Sequence, residues 1–294
     1  MTRVPVALNQ FGSVFVIFPA HSKSEVDHVT AITRNGNALT SGSGNTIQVS
    51  RGQGSSFESL VWQPGHYSLR LANGTERAVS VAHLPEPLKI NGPWGVEFTP
   101  NWGAPARVQL PELISWSEHS DPGVRYFSGR ATYVKQIQIP ASHVGRDRAL
   151  FLDLGDVGVI ARVKLNGRDL GILWRAPFQI DVTAAAREGA NSLEVMVVNL
   201  WPNRIIGDEN LPDDCEWDAP LRMGPPPAQG TAQAQPRRPL LQTLKAFPQW
   251  LLDGKPSPTG RFTFSIIKVW SKNAPLLRSG LMGPVTLVPA ARVT

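Results

Sequence analysis

The chain has 294 residues, 29 Lys+Arg against 23 Asp+Glu, a net charge of +6, and is 41% hydrophobic and 18% charged. This composition is too apolar and too weakly charged for general disorder, and at about 150 residues per domain two domains are the natural division. A single cysteine, Cys215, excludes an intrachain disulfide framework and a cysteine zinc cluster, and no stretch reaches the ~18–20 apolar residues of a membrane span.

The first nineteen residues, MTRVPVALNQFGSVFVIFP, interrupt their apolar run at Asn9, Gln10 and Gly12 and read as a strand rather than a secretory leader. A chain that opens inside a strand reads as a segment of something longer. Strand patterns continue at Val14–Phe18 and Tyr67–Leu71, with Asn35-Gly36 and Asn73-Gly74 as turn signals. Residues 1–88 are expected to form a small β-sandwich, closed by Leu84-Pro85-Glu86-Pro87.

Residues 89–294 read as a second β domain, with strands expected at Arg130–Ile139, Ala149–Leu154, Val159–Leu165, Ser192–Asn199, Arg261–Val269 and Pro284–Pro289. Asn166-Gly167 marks a hairpin. Thr183–Gly189 allows one helical turn capped by Thr183, and Leu240–Leu252 a helix broken at Pro248. A Pro-rich loop spans about 220–239, with six prolines from Pro220 to Pro239. No strand–helix alternation supports a parallel sheet, so the fold class is all-β, a small sandwich followed by a jelly roll.

Residues 254–294 hold six basic residues and no acid, which equals the whole net charge, but these are spaced along apolar strands. That spacing suits solvated strand faces rather than a nucleic-acid stripe. The six histidines, none beyond His143, show no helical metal spacing, and no nucleophile elbow, P-loop or dinucleotide fingerprint is present.

Two features stand out. Eight of the nine tryptophans follow residue 88: Trp94, Trp102, Trp116, Trp174, Trp201, Trp217, Trp250 and Trp270. Each reads either as core or as a platform for the C–H face of a sugar. The second feature is an acidic stretch with six carboxylates between Asp208 and Asp218. It reads as a solvated loop, as a structural calcium site or interdomain contact, or as half of a glycosidase carboxylate pair. Trp201, Asn203, Arg204 and Asp208 follow a strand end directly, and are expected to form one polar cluster with an Arg204–Asp208 ion pair.

The run Val163–Gly167, Gly171–Trp174, Pro177-Phe178, Asp181-Val182-Thr183 and Gly189–Val195 resembles the galactose-binding-like jelly roll, the sugar-binding domain of glycosyl hydrolases. Asn199–Asp208, Leu211-Pro212, Trp217, Gly260–Phe264, Trp270 and Ser279–Val285 resemble the C-terminal region of glycoside hydrolase family 106, which contains α-L-rhamnosidases. The resemblance implies a non-catalytic β part of such an enzyme, bracing a (β/α)₈ barrel that lies N-terminal to this region and is absent here. The parent would hydrolyse terminal α-L-rhamnosyl linkages, in a bacterial periplasm or secreted. No catalytic residue carries over. The expected glycan or interdomain contacts are Trp174, Trp201, Asn203, Arg204, Asp208 and Trp217. The expected partners are a rhamnose-containing glycan and the barrel, with no nucleic acid and no membrane. An independent carbohydrate-binding module and a purely structural sandwich are the rival readings.

Overall fold

The structure, a computed structural model, describes residues 28–39, 46–51, 56–222 and 240–293. The expected strand Val14–Phe18 and residues 223–239 of the Pro-rich loop lie outside these. The fold is all-β: antiparallel sheets dominate, and the longest helix among the described residues is Pro202–Asp208. None of the helices is long and apolar enough to cross a membrane.

Two facing sheets form the larger sandwich. One runs in the order Arg168–Leu173, Ile160–Leu165, Gly189–Val198, Arg130–Ile139, Trp94–Phe98, Arg107–Leu110. The other contains Gln179–Asp181, Arg148–Asp153 and Thr286–Val293. Alternation explains their packing: Leu193, Val195 and Val197 point inward from one strand and Ala131, Tyr133, Ile137 and Ile139 from its neighbour, all buried. At the centre Trp116 stacks on Tyr133 with ring centroids 6.4 Å apart and meets Phe127 edge-on at 5.5 Å. Tyr133 reaches across with its hydroxyl, which accepts a hydrogen bond from the Leu281 amide at 2.9 Å. Two of the eight late tryptophans, Trp94 and Trp116, are therefore core residues.

The smaller sheet, Asn37–Ala38, Val29–Arg34, Gly65–Leu71, Glu76–Val81, packs on a separate apolar cluster that includes Val61, Tyr67, Leu69 and Leu84. The two clusters share one strand. Thr286–Val293 pairs along its first six residues with Arg148–Asp153, while its end pairs Ala291 with Val61 and Val293 with Ser59 in the strand Phe57–Val61. Leu287 thus belongs to the larger core and Ala291 to the smaller.

The superfamily marks prove to be turn chemistry. Asn166 and Gly167 both take positive φ, +52° and +76°, and turn the hairpin between Ile160–Leu165 and Arg168–Leu173. The Asn166 amide donates to the Ala185 carbonyl at 2.9 Å and to Asn191 Oδ1 at 2.7 Å, and its oxygen accepts from the Ser192 amide. Asp181 accepts from the Thr183 amide at 2.8 Å, and the Thr183 hydroxyl accepts from the Leu150 amide at 2.9 Å.

Three expected elements differ. Thr183–Gly189 does begin with one helical turn, the Val182 carbonyl accepting from the Ala185 and Ala186 amides at 2.9 and 2.8 Å, but Thr183 does not cap it, because its hydroxyl serves the neighbouring strand, and Gly189 opens the next strand. Leu240–Thr243 is a strand paired with Ile267–Lys268, and the helix is confined to Gln249–Leu252, immediately after Pro248. Arg261–Val269 is extended β only at Ile267–Lys268, because the Phe262 and Thr263 amides bond to a carboxylate rather than to a neighbouring strand.

Replacing Ala291 by Asp puts a carboxylate into the strand both cores share. It should destabilise the chain by at least about 3 kcal/mol. The loss should appear together in far-UV circular dichroism and tryptophan emission during urea unfolding.

Candidate functional site: the excursion after Val198

The chain leaves the larger sandwich at Val198 and returns at Gly280. The helix Pro202–Asp208 starts this excursion, with Pro202 at its first turn, where a missing N–H costs nothing. Asn203, Arg204 and Asp208 are all buried. The Asn203 amide group pairs with the Leu277 backbone in both directions, donating at 2.7 Å and accepting at 2.8 Å, so it acts as a strand partner for an isolated segment.

Asp208 ties the helix end to the returning chain. Its Oδ2 accepts from the Phe262 amide at 2.9 Å, the Thr263 amide at 2.8 Å and the Thr263 hydroxyl at 2.7 Å. Its Oδ1 faces Arg204 Nε at 3.4 Å, one helical turn away. This is an ion pair without a hydrogen bond, since neither atom has a hydrogen-bond partner. Burial lowers the Arg204 pKa from its ordinary value, with Asp208 and Tyr126 opposing it, though a guanidinium stays charged. Its planar head lies over the Phe262 ring at 4.8 Å. Only glycine fits at two places around it: a Cβ on Gly103 would lie 2.8 Å from Arg204 Nη1, and one on Gly207 would lie 2.6 Å from the Cβ of Tyr126.

The acidic stretch meets its counter-ions about fifty residues downstream. Arg261 Nη1 donates to Glu209 at 3.0 Å, Nη2 to Asp213 at 2.8 Å and to the Leu211 carbonyl at 3.0 Å, and Nε to the Pro212 carbonyl at 2.8 Å. Lys268 bridges the same two acids, at 3.2 Å from Glu209 and 2.8 Å from Asp213. Burial is the largest influence on Asp213 and would raise its carboxyl, but Lys268 and Arg261 together hold it below the usual range. For Lys268, burial would lower the ammonium, but Asp213 and Glu209 hold it above its usual value. Because Asp213 is depressed in the folded chain, its contribution is present above its unfolded value of about 4 and lost as pH falls through the folded one.

These contacts bear on the calcium reading. Asp208, Glu209 and Asp213 are already turned to Arg261, Lys268 and backbone amides, and Glu216 to Lys245, whereas Asp214 Oδ2 is buried without a hydrogen-bond partner. Among the described residues no group of three or more His, Cys, Asp or Glu is placed to hold a metal ion.

The tryptophans divide. Trp201 is 55% exposed and rests edge-on against Trp102, centroids 5.7 Å apart. Trp174 is 66% exposed on another loop, beside Arg175. Trp217 is half-buried with Lys268 over its ring at 5.6 Å. Of the expected cluster, Arg204 and Asp208 form the ion pair, while Asn203 on the same helix turns to Leu277 and Ser279, Trp201 rests on Trp102, and Trp174 lies on another loop. Sequence reasoning missed Arg261, Phe262, Thr263 and Lys268, whose role appears only once the excursion folds back.

A further feature borders this cluster. Trp102, Trp250, Phe262 and Phe264 line an open cleft of about 530 Å³, with Ser257 and Asn101 at its edge. Trp250 meets Phe264 edge-on at 5.9 Å and donates its indole N–H to the Asp214 carbonyl at 2.8 Å, which fixes the plane of the ring.

No protein-family profile matches the chain. It is 42% identical over 224 residues to a protein of Formosa agariphila named "Putative beta-glucuronidase", a stretch covering 76% of this chain and 17% of that protein. It is similar in structure to a rhamnosidase from Novosphingobium sp. PP1Y, with a TM-score of 0.52 and 24% identity over 88% of this chain and 25% of that one. Both names are those of glycoside hydrolases. The chain spans about a quarter or less of the length of each. The resemblance to family 106 thus meets one relative named for rhamnosides and one named for glucuronides.

Asp208→Ala strands the Phe262 and Thr263 amides and leaves Arg204 buried without its counter-charge. It should cost about 3–5 kcal/mol, with new proteolytic cleavage around residues 260–264 as the direct readout. A second outcome concerns Cys215, whose thiol is pushed from 9.0 up to about 11 by burial, then by Asp214 and Asp213. At pH 8 its thiolate should be about a hundredfold scarcer than an ordinary one, of which the greater nucleophilicity of a more basic thiolate recovers up to about tenfold. Iodoacetamide should therefore alkylate the folded chain roughly tenfold more slowly than the urea-unfolded chain.

Proposed function

We propose that this chain is a non-catalytic β part of a glycoside hydrolase, bracing a catalytic domain and contacting glycan. The observation that carries the reading is the state of the acidic stretch. A glycosidase needs one protonated and one ionised carboxyl across open space. Asp208, Glu209 and Asp213 face cations and backbone donors rather than each other across a cleft, and against burial Lys268 and Arg261 hold the Asp213 carboxyl below its usual range. The chain's share of its relatives' length fits the same reading, as do the exposed apolar side chains on the excursion, among them Leu200, Trp201, Phe247, Leu252 and Val269. Exposed apolar side chains in such number suit docking against a larger domain.

The α-L-rhamnosyl parent reaction is supported by the Asn199–Asp208 and Ser279–Val285 motifs. The name of the 42% identical relative favours a second reading, a β-glucuronosyl parent. A division into 1–88 and 89–294 follows the two apolar clusters except at Ala291 and Val293, which the second segment lends to the smaller one. Trp174, Trp201 and Trp217 remain the proposed outward contacts, whereas Asn203, Arg204 and Asp208 would act from within by shaping the surface.

The purified chain should release no measurable p-nitrophenol from the aryl α-L-rhamnoside or the aryl β-D-glucuronide. Turnover of either that disappears on changing Glu209 or Asp213 would overturn the non-catalytic reading.

A further inference from the structure

The cleft between Trp102 and Trp250 lies outside the residues assigned above, and its chemistry is specific. Its volume of about 530 Å³ falls within the roughly 300–1,000 Å³ of small-ligand sites. Its walls are flat rings. Phe262 is 39% exposed, Trp102 and Trp250 are partly so, and each ring is in contact with a neighbour, Arg204, Trp201 or Phe264 respectively. Rings held this way lose little freedom when a ligand stacks on them. Ser257 and Asn101 add polar side chains to the lining, the Ser257 hydroxyl already meeting the Thr259 hydroxyl at 3.2 Å and accepting from the Thr259 amide, with the capacity to exchange bonds with sugar hydroxyls.

The charge of the cleft decides what kind of sugar fits. Among the described residues that line it the cation is Arg261, whose side chain is 7% exposed and whose N–H groups already serve Glu209, Asp213 and the carbonyls of Leu211 and Pro212. A ligand carboxylate would find that fork already engaged, and would approach Glu209 and Asp213 behind it. A neutral ring with an apolar C–H face meets neither cost.

The geometry points to a binding subsite for one neutral pyranose between Trp102, Trp250 and Phe262, which excludes uronates. It rests on the reading that the chain serves a glycan-cleaving protein.

The test uses the purified full chain, with saturation-transfer NMR and tryptophan-fluorescence titration against methyl α-L-rhamnopyranoside, methyl β-D-glucopyranoside and methyl β-D-glucuronide. The last two differ only at C6. Both neutral glycosides should saturate in the millimolar range, with the glucuronide at least tenfold weaker. Trp250→Ala removes a wall. Pro256→Tyr fills the cleft from an exposed position and keeps the framework intact, and each should weaken binding at least tenfold. Trp174→Ala, on another loop, should leave binding unchanged. Failure of both neutral glycosides to saturate, equal or tighter binding of the glucuronide, or unaltered binding by Pro256→Tyr would overturn the subsite. Turnover of an aryl glycoside would end the non-catalytic reading while leaving the binding result standing. Absence of both turnover and binding would end the subsite alone.

Discussion

A single carboxylate oxygen, Oδ2 of Asp208, organises the long excursion between the two halves of the larger sandwich. It takes three donors from Phe262 and Thr263, and so fixes where the returning chain lies against the helix Pro202–Asp208. Hydrogen bonds to a charged group contribute about 1.5–3 kcal/mol each, though three on one oxygen do not simply add. With residues 262–263 held, Phe262 lies over Arg204, and Arg261 next door reaches Glu209 and Asp213. The aromatic cleft follows from the same anchor, since two of its walls, Phe262 and Phe264, flank Thr263.

The sheets were legible because their signals are local. Alternation gave Arg130–Ile139 and the strand before Asn199, and Asn166-Gly167 gave its hairpin because two successive residues need positive φ. The excursion was not legible in the same way. Arg261–Val269 alternates like a strand, yet its first amides go to a carboxylate more than fifty positions away. Only a long-range partner separates that outcome from a ladder. The pairing of Arg204 with Asp208 was readable, being one helical turn. The pairing of Glu209 and Asp213 with Arg261 and Lys268 was not. The cleft was invisible for the same reason, as it joins Trp102, Trp250 and Phe262 across some 160 residues of sequence.

What made the chain resemble sugar-binding jelly rolls is the part of it least concerned with sugar. Asn166, Asp181, Thr183 and Asn191 bind one another's turns and the neighbouring strand. They keep a sandwich folded whatever it binds. A likeness carried by such residues transmits architecture faithfully and specificity poorly. Specificity would lie instead on the excursion, where Trp201 and Phe262 are exposed above the buried Arg204 and Asp208.

The strand Thr286–Val293 belongs to both cores at once, pairing Ala291 with Val61 across 230 residues of chain. During synthesis neither sandwich can close until this strand leaves the ribosome, and everything before it must wait with sheet edges open. Contacts this distant in sequence form slowly, and exposed edges invite pairing with other chains in the meantime. Once the strand is seated it works as a rivet through two plates, so a force that bends one sandwich against the other is borne by its backbone ladder. The relative orientation of the two sandwiches is then set by strand register, with no role for a linker.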